Sequence, residues 1–199
     1  MNKPSNTGTG SVRLIGGEWR SRKLSFPNAD GLRPTADRVR ETLFNWLQSQ
    51  VPAARVLDLF AGSGALGFEA ASRGASQVLL LERSAAAAAS LRANREALNA
   101  ARVEVIAVDA FAWLEKSGRS DQAKFDVVFI DPPFADNWHY RAAAALDSSG
   151  CLASHAWVYI ESSAPLDAAQ LPSHWREHRC KRAGAVYSTL LQCGDKAGN

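Results

Sequence analysis

Short, almost continuously apolar runs recur along this chain at 55–60 (RVLDLF), 77–82 (QVLLLE), 103–108 (VEVIAV), 125–131 (FDVVFID) and 156–161 (AWVYIE). Runs of that length, apolar at successive positions, are the pattern of strands covered on both faces. Segments of helical spacing lie between them, clearest at Ser84 to Asn99, where the alanine run Ala85 to Ala89 favours helix. Strand alternating with helix predicts a parallel, doubly wound sheet. Beyond 161 the rhythm changes. Residues 175–182 and 186–193 are separated by Gly184 without a long helix between them, which predicts an antiparallel pair at one edge.

Ahead of this repeat, residues 1–11 read as a disordered tail. From Val12 to Phe26 (VRLIGGEWRSRKLSF) short apolar stretches flank a Gly-Gly, the pattern of a small hairpin. Pro27 to Pro34 is rich in turn residues, and Thr35 can cap a helix over Ala36 to Gln48 whose stripe is Val39, Leu43, Phe44, Trp46 and Leu47. The expected fold is an α/β three-layer sandwich. Its seven-stranded, mostly parallel, doubly wound sheet has the last strand antiparallel, with a small basic hairpin at the N-terminus. One domain is expected over 12–194, its hairpin extension over 12–34, with a short tail at 195–199.

Composition narrows the class. With 46% apolar and 22% charged residues, the 199-residue chain is neither disordered nor fibrous, and its length suits one full-sized domain. No apolar run approaches the roughly 18 residues needed to cross a bilayer. The polar start MNKPSNTGTGS carries no secretory signal. Cys151, Cys180 and Cys193 are an odd set without Cys-x-x-Cys spacing, so neither a disulfide framework nor a structural zinc is expected. These features predict a soluble protein of the reducing cytoplasm. Its net charge of +3 is uneven: residues 1–40 carry eight Lys/Arg against three acids, a net +5, and the rest sums to −2. A basic end on a near-neutral body fits a polyanionic partner; a merely solvated face is the plainer alternative.

The first run leads into Asp58-Leu59-Phe60-Ala61-Gly62-Ser63-Gly64-Ala65-Leu66-Gly67, and the second ends at Glu82. Gly62, Gly64 and Gly67 make G-x-G-x-x-G between strand and helix, with an acid twenty residues on: a nucleotide-binding context, in which Glu82 can accept both ribose hydroxyls. A dinucleotide dehydrogenase satisfies that much. Asp58 argues against it, because a carboxylate beside a pyrophosphate repels it. The same acid suits S-adenosylmethionine, whose methionine end carries an ammonium and a sulfonium and no phosphate. Asp109, ending the third run, can accept from an adenine amine. Phe60, Ala61, Ser63, Arg83 and Ala110 complete the expected cofactor contacts.

The fourth run ends in Asp131-Pro132-Pro133-Phe134. Two prolines stop a strand and offer no N–H, leaving a site of acceptors. An exocyclic NH2 of a nucleobase suits it: Asp131 and the Pro132 carbonyl hold the two N–H groups, which turns the nitrogen lone pair outward. Phe134 offers a face for a flipped base, and the released proton can leave by Asp131.

These motifs resemble the class I S-adenosylmethionine-dependent methyltransferases that carry (Asn/Asp)-Pro-Pro-aromatic. More narrowly, the chain resembles the RsmD family of bacterial 16S rRNA guanine-N2 methyltransferases. The stretches that carry this are Arg13 to Arg20 (RLIGGEWR), Leu32 to Asn45 (LRPTADRVRETLFN), Asp58 to Gly64 and Asp131 to Phe134. The resemblance implies methylation of N2 of one guanine in a 16S rRNA hairpin loop, presented in the assembled or assembling 30S subunit. It places Arg33, Pro34 and Thr35 beside the active site. The basic residues Arg13, Arg20, Arg22, Lys23, Arg33 and Arg38 are then expected to hold RNA with Thr35, and Trp19 either stacks on RNA or packs the hairpin. A monomer is expected, with neither DNA nor a membrane as partner. Adenine-N6 or glutamine-amide transfer, a nicotinamide oxidoreductase and a non-catalytic assembly factor are the competing functions. His174, His178 and Cys180 are not expected to form a metal site; Trp46, Trp113 and Trp157 are expected in the core; Asp126 and Glu161 receive no role.

Overall fold

A computed structural model of the chain describes residues 8–27, 36–117, 124–132 and 138–195. The elements follow the apolar runs in order: β1 (Thr9–Arg13), β2 (Lys23–Pro27), α1 (Asp37–Trp46), β3 (Arg55–Asp58), α2 (Ala65–Ser72), β4 (Gln77–Glu82), α3 (Ala85–Ala97) and β5 (Val103–Ala107). They continue with α4 (Ala110–Ser117), β6 (Phe125–Ile130), α5 (Trp138–Ser149), β7 (Leu152–Ser162), a 3-10 turn at Ala168–Gln170, β8 (Trp175–Ala183) and β9 (Val186–Cys193).

One seven-stranded sheet has the order β5-β4-β3-β6-β7-β9-β8. Its first five strands are parallel, and β9 runs antiparallel between β7 and β8. The doubly wound sandwich with its last strand reversed is therefore present. From β3 the chain winds outward through β4 and β5, then returns to place β6 on the other side of β3. That reversal is a topological switch point, where the loops leaving β3 and β6 part and open a crevice. Asp58 is opposite Phe129, so the glycine loop and Asp131 leave neighbouring strands side by side.

The sheet is covered on both faces. One apolar cluster unites Val56, Val78, Leu80, Phe129 and Tyr159 with Leu43 and Phe44 of α1, Phe68 of α2 and Leu91 of α3. The other unites Leu57, Leu81, Val128 and Ile160 with Leu114 of α4 and Leu146 of α5. Adjacent positions along β3 thus serve opposite cores, which is why the run reads as continuously apolar.

The hairpin forms its own two-stranded sheet, with Val12 opposite Leu24. Val12, Leu14, Trp19, Leu24 and Phe26 belong to the first cluster, so the appendage is packed into the body. A buried polar hub fixes it. Glu69 of α2 accepts the Ile15 N–H at 2.8 Å and the Arg73 Nε–H at 2.7 Å, and the wholly buried Arg40 lies 3.7 Å away. Asn94 of α3 exchanges two hydrogen bonds with the Ser25 main chain.

Several expectations are corrected. β1 begins at Thr9, so the tail expected through Ser11 already forms strand, because Thr9–Ser11 pair with Ser25–Pro27. The residue capping α1 is Ala36, which has no side chain to offer; the expected cap Thr35 lies outside the described residues. β7 starts at Leu152, ahead of the apolar run, through a register shift that pairs Leu152 with Phe125. Trp46, Trp113 and Trp157 pack against the cores while remaining half-buried. Among the described residues no helix is long and apolar enough to cross a membrane.

Candidate active site

The carboxyl ends of β3, β4, β5 and β6 meet along one edge of the sheet. Gly62 and Gly64 both have positive φ, 52° and 78°, which lets the loop after β3 turn sharply. Gly64 sits at the N-cap of α2 in place of a side-chain cap. Gly67 packs that helix on the sheet: a Cβ there would come within 2.1 Å of Leu80 and 3.4 Å of the Asp58 carboxylate. The three glycines therefore have separate physical reasons.

Asp58 is buried. Its Oδ2 accepts the Gly67 N–H at 3.2 Å, and its Oδ1 has no hydrogen-bond partner. Burial pushes the carboxyl up to about 7; the Gly67 and Phe60 amides oppose that, while the Glu82 charge adds to it. A buried oxygen without a donor invites a cation or an N–H.

Glu82 at the end of β4 holds the loop: Oε2 accepts from Gly62 N at 2.9 Å and Oε1 from Ser84 N at 2.6 Å. Each carboxylate oxygen keeps further acceptor capacity for a ribose. Asp109 turns its Oδ1 to the Phe111 and Ala112 amides and so starts α4, leaving Oδ2 outside this cap. The site thus adds a local structural role to both acids. Ala61 binds Leu81 O through its N–H at 2.9 Å, Ser63 and Ala110 are buried, and Arg83 is exposed.

Asp131 and the buried Pro132 follow β6 directly; Pro133 and Phe134 lie outside the described residues. Next to Asp131 is a buried network missing from the sequence reasoning. The Tyr159 hydroxyl lies 2.9 Å from Glu161 Oε1 and 3.0 Å from Ser188 Oγ. Burial first, and then the charges of Glu161 and Asp131, push that hydroxyl well above the usual phenol range. The –Tyr159-Ile160-Glu161– spacing, which puts both on one face of β7, was the available signal.

A second missed feature is aromatic. Phe60, Phe111 and Trp138 meet edge to face or tilted, with centroids 5.6–6.4 Å apart, and the Arg141 guanidinium lies 4.0 Å from the Phe111 ring. They join the loop after β3 to the starts of α4 and α5. Sequence offered only aromatics scattered over three separate segments.

The basic candidates separate. Arg20, Lys23 and Arg38 are exposed. Arg13, 59% exposed, pairs with Asp37 at 3.2 Å, and Arg22 donates to Ala97 O at 3.0 Å. Arg33 and Thr35 lie outside the described residues. Of the two roles expected for Trp19, packing is the one its surroundings favour: it is only 6% exposed, its main-chain N–H donates to Ser72 Oγ, and Arg102 lies over its ring. Its ring is spent on anchoring the hairpin. His174 faces Asp147 at 3.1 Å and His178 lies against Trp157. Among the described residues no His/Cys/Asp/Glu group of three or more could hold a metal.

Comparison with known proteins agrees with this architecture. The family model "Conserved hypothetical protein 95" matches residues 12–192. The chain is 43% identical over 192 residues to Ribosomal RNA small subunit methyltransferase D of Escherichia coli K12, covering 96% of this chain and 95% of that protein. A solved structure described as methyltransferase yhhF from E. coli superposes with TM-score 0.83 at 40% identity, covering 93% of this chain and 99% of that one. A T. thermophilus 16S rRNA N2 methyltransferase, solved with AdoMet and guanosine, shares the fold at 21% identity and TM-score 0.69; 96% of this chain and 52% of that one are covered. With its family model spanning almost the entire chain and its relatives matched nearly end to end, the chain belongs to the RsmD family of methyltransferases.

Proposed function

We propose that the protein methylates the exocyclic N2 of a guanine in a hairpin loop of 16S rRNA, using S-adenosylmethionine. The observation that carries this is the pairing, at one switch point, of a glycine loop over an orphaned buried carboxylate oxygen with Asp131 and Pro132 at the end of the adjacent strand. The residues fit this cofactor: Asp58 Oδ1 answers an ammonium, Glu82 a ribose and Asp109 Oδ2 an amine, and none favours a phosphate. When bound, S-adenosylmethionine supplies an electrophilic methyl on a sulfonium.

The chain's own residues position the amine. Asp131 and the Pro132 carbonyl accept its two N–H groups, Phe134 stacks on the base, and Asp131 receives the proton released by the nitrogen. The Tyr159 hydroxyl stays protonated beside Asp131 and Glu161, so that edge keeps a donor among its acids. Arg13, Arg20, Arg22, Lys23, Arg33 and Arg38 meet RNA phosphates, with Thr35 near the site. The substrate is the assembled or assembling 30S subunit, the protein acts as a cytoplasmic monomer, and it uses neither DNA nor a membrane.

The test is transfer of labelled methyl from S-adenosylmethionine to unmodified small subunits, naked 16S rRNA, tRNA and DNA, followed by nucleoside digestion. N2-methylguanosine from the subunit or its RNA is expected. N6-methyladenosine overturns the target atom. Absence of label from every pool, with the cofactor still bound, overturns catalysis on RNA in favour of an assembly factor or a protein substrate.

A further inference from the structure

The β8–β9 hairpin carries cations that the functional reading leaves unused. β9 runs back from the catalytic edge, with Ser162 opposite Tyr187 and Ile160 opposite Thr189, while Ile160 is also opposite Ile130. The turn at Gly184 therefore lies at the same edge of the sheet from which Asp131 emerges. Between that turn and the first turns of α1 is a cleft of about 320 Å³ lined by Arg38, Thr42, Lys181, Arg182 and Ser188.

Two of its three cations, Lys181 and Arg182, are held there by neutral partners. Lys181 Nζ donates to Thr42 Oγ1 at 3.4 Å, and Arg182 Nε donates to Gly184 O at 3.0 Å while its guanidinium lies 5.5 Å from the Tyr187 ring. Arg13, Arg40, Arg73 and Arg102 each have an acidic partner, whereas among the described residues none of Arg38, Lys181 and Arg182 forms an ion pair. The Ser188 hydroxyl ties the cleft wall to Tyr159 and thence to Glu161, close to Asp131. Concentrated positive charge in a nucleotide-sized concavity, one strand end from a base-holding turn, suits a polyanion whose base is drawn out beside it.

We propose that this cleft binds a backbone phosphate of the RNA strand flanking the target nucleotide, with Lys181 and Arg182 acting alongside Arg38. The proposal rests on the RNA-methylation reading and adds the β8–β9 margin of the active edge to it. Phosphate contacts in the cleft then fix register while Asp131 and Pro132 select the atom.

The test compares wild type with Lys181→Gln, Arg182→Gln and the double variant, all exposed changes. Initial rates are measured against small-subunit concentration at several salt concentrations, cofactor affinity by equilibrium dialysis, and naked 16S rRNA affinity by filter binding. The double variant is expected to raise KM and weaken naked-RNA binding roughly tenfold, to flatten the logarithmic salt dependence by about 1–2, and to leave kcat and cofactor affinity unchanged. Unchanged KM, RNA affinity and salt dependence overturn the proposal. A raised subunit KM with unaltered naked-RNA affinity also overturns it, by assigning the cleft to a ribosomal protein. If wild type yields no methylated RNA, the function fails, while the filter-binding comparison still decides the cleft.

Discussion

Replacing Asp58 by Asn probes the chemistry of the cofactor loop and the stability of the fold together. The carboxyl moves from 3.8 to about 7 on folding, chiefly through burial, so the folded protein holds this proton more tightly than the unfolded chain. In that window the native state binds more protons, and stability falls as pH rises from about 4 to about 7. Above 7 the ionised, buried group disfavours the fold by up to about 4 kcal/mol, at 1.4 kcal/mol per tenfold. The amide of the variant has no ionisation to suffer. It does bring an NH2 to the buried place of Oδ1, and an unpaired donor there costs about 1–3 kcal/mol. The balance changes sign: the variant is less stable by about 1–3 kcal/mol near pH 4 and more stable by a similar amount at pH 8. For a domain of this size the gain at pH 8 raises the unfolding midpoint by roughly 2–10 °C. Cofactor binding moves the other way. Wild-type affinity for S-adenosylmethionine weakens about tenfold per pH unit below 7, as the ammonium must displace the proton, and the variant binds weakly with no such slope. Urea unfolding and equilibrium dialysis across pH 4–8 measure both. A stability difference between the two proteins that stays flat over this range would refute the reasoning.

Asp131→Ala is expected to lower kcat by about 10²- to 10⁴-fold while dialysis finds cofactor affinity within twofold of wild type; joint loss of both would contradict the division of roles. Gly67→Ala forces a methyl against the buried Leu80 side chain and the Asp58 carboxylate, and is expected to destabilise the fold by about 1–3 kcal/mol in urea unfolding. Trp19→Ala empties a packed site between the hairpin and α2, with an expected loss of about 3–5 kcal/mol; folded enzyme at low temperature should retain wild-type KM for subunits, and a selective rise in KM without destabilisation would restore an RNA contact.

What was legible in the sequence was what local pattern encodes. RVLDLF and FDVVFID announce strands because both their faces are buried, and the acids that end them fall at the crevice because a parallel sheet aligns its carboxyl ends. Trp19 was ambiguous because its burial is decided by Ser72 and Arg102, more than fifty residues away. Glu69 reads as a solvent-facing helix residue, yet it is wholly buried, since Ile15, Arg40 and Arg73 converge on it from three segments. The Phe60–Phe111–Trp138 contact is likewise a product of loop convergence and has no linear signature. Glu82 ends β4 as expected while Asp109 lies two residues beyond β5, and the main-chain duties of both depend on turn geometry that spacing alone does not express.

The strand order also imposes a timetable on synthesis. β8 leaves the ribosome before β9, yet among the described residues its one strand pairing is with β9, which lies between it and β7. A nascent chain that has reached Ala183 carries the five parallel strands but lacks the strand that pairs with its cationic β8. Only when Cys193 has emerged is the margin zipped shut and Lys181 brought opposite Ser188. An unfinished chain, still tethered within reach of ribosomal RNA, thus lacks the completed cleft until β9 has emerged.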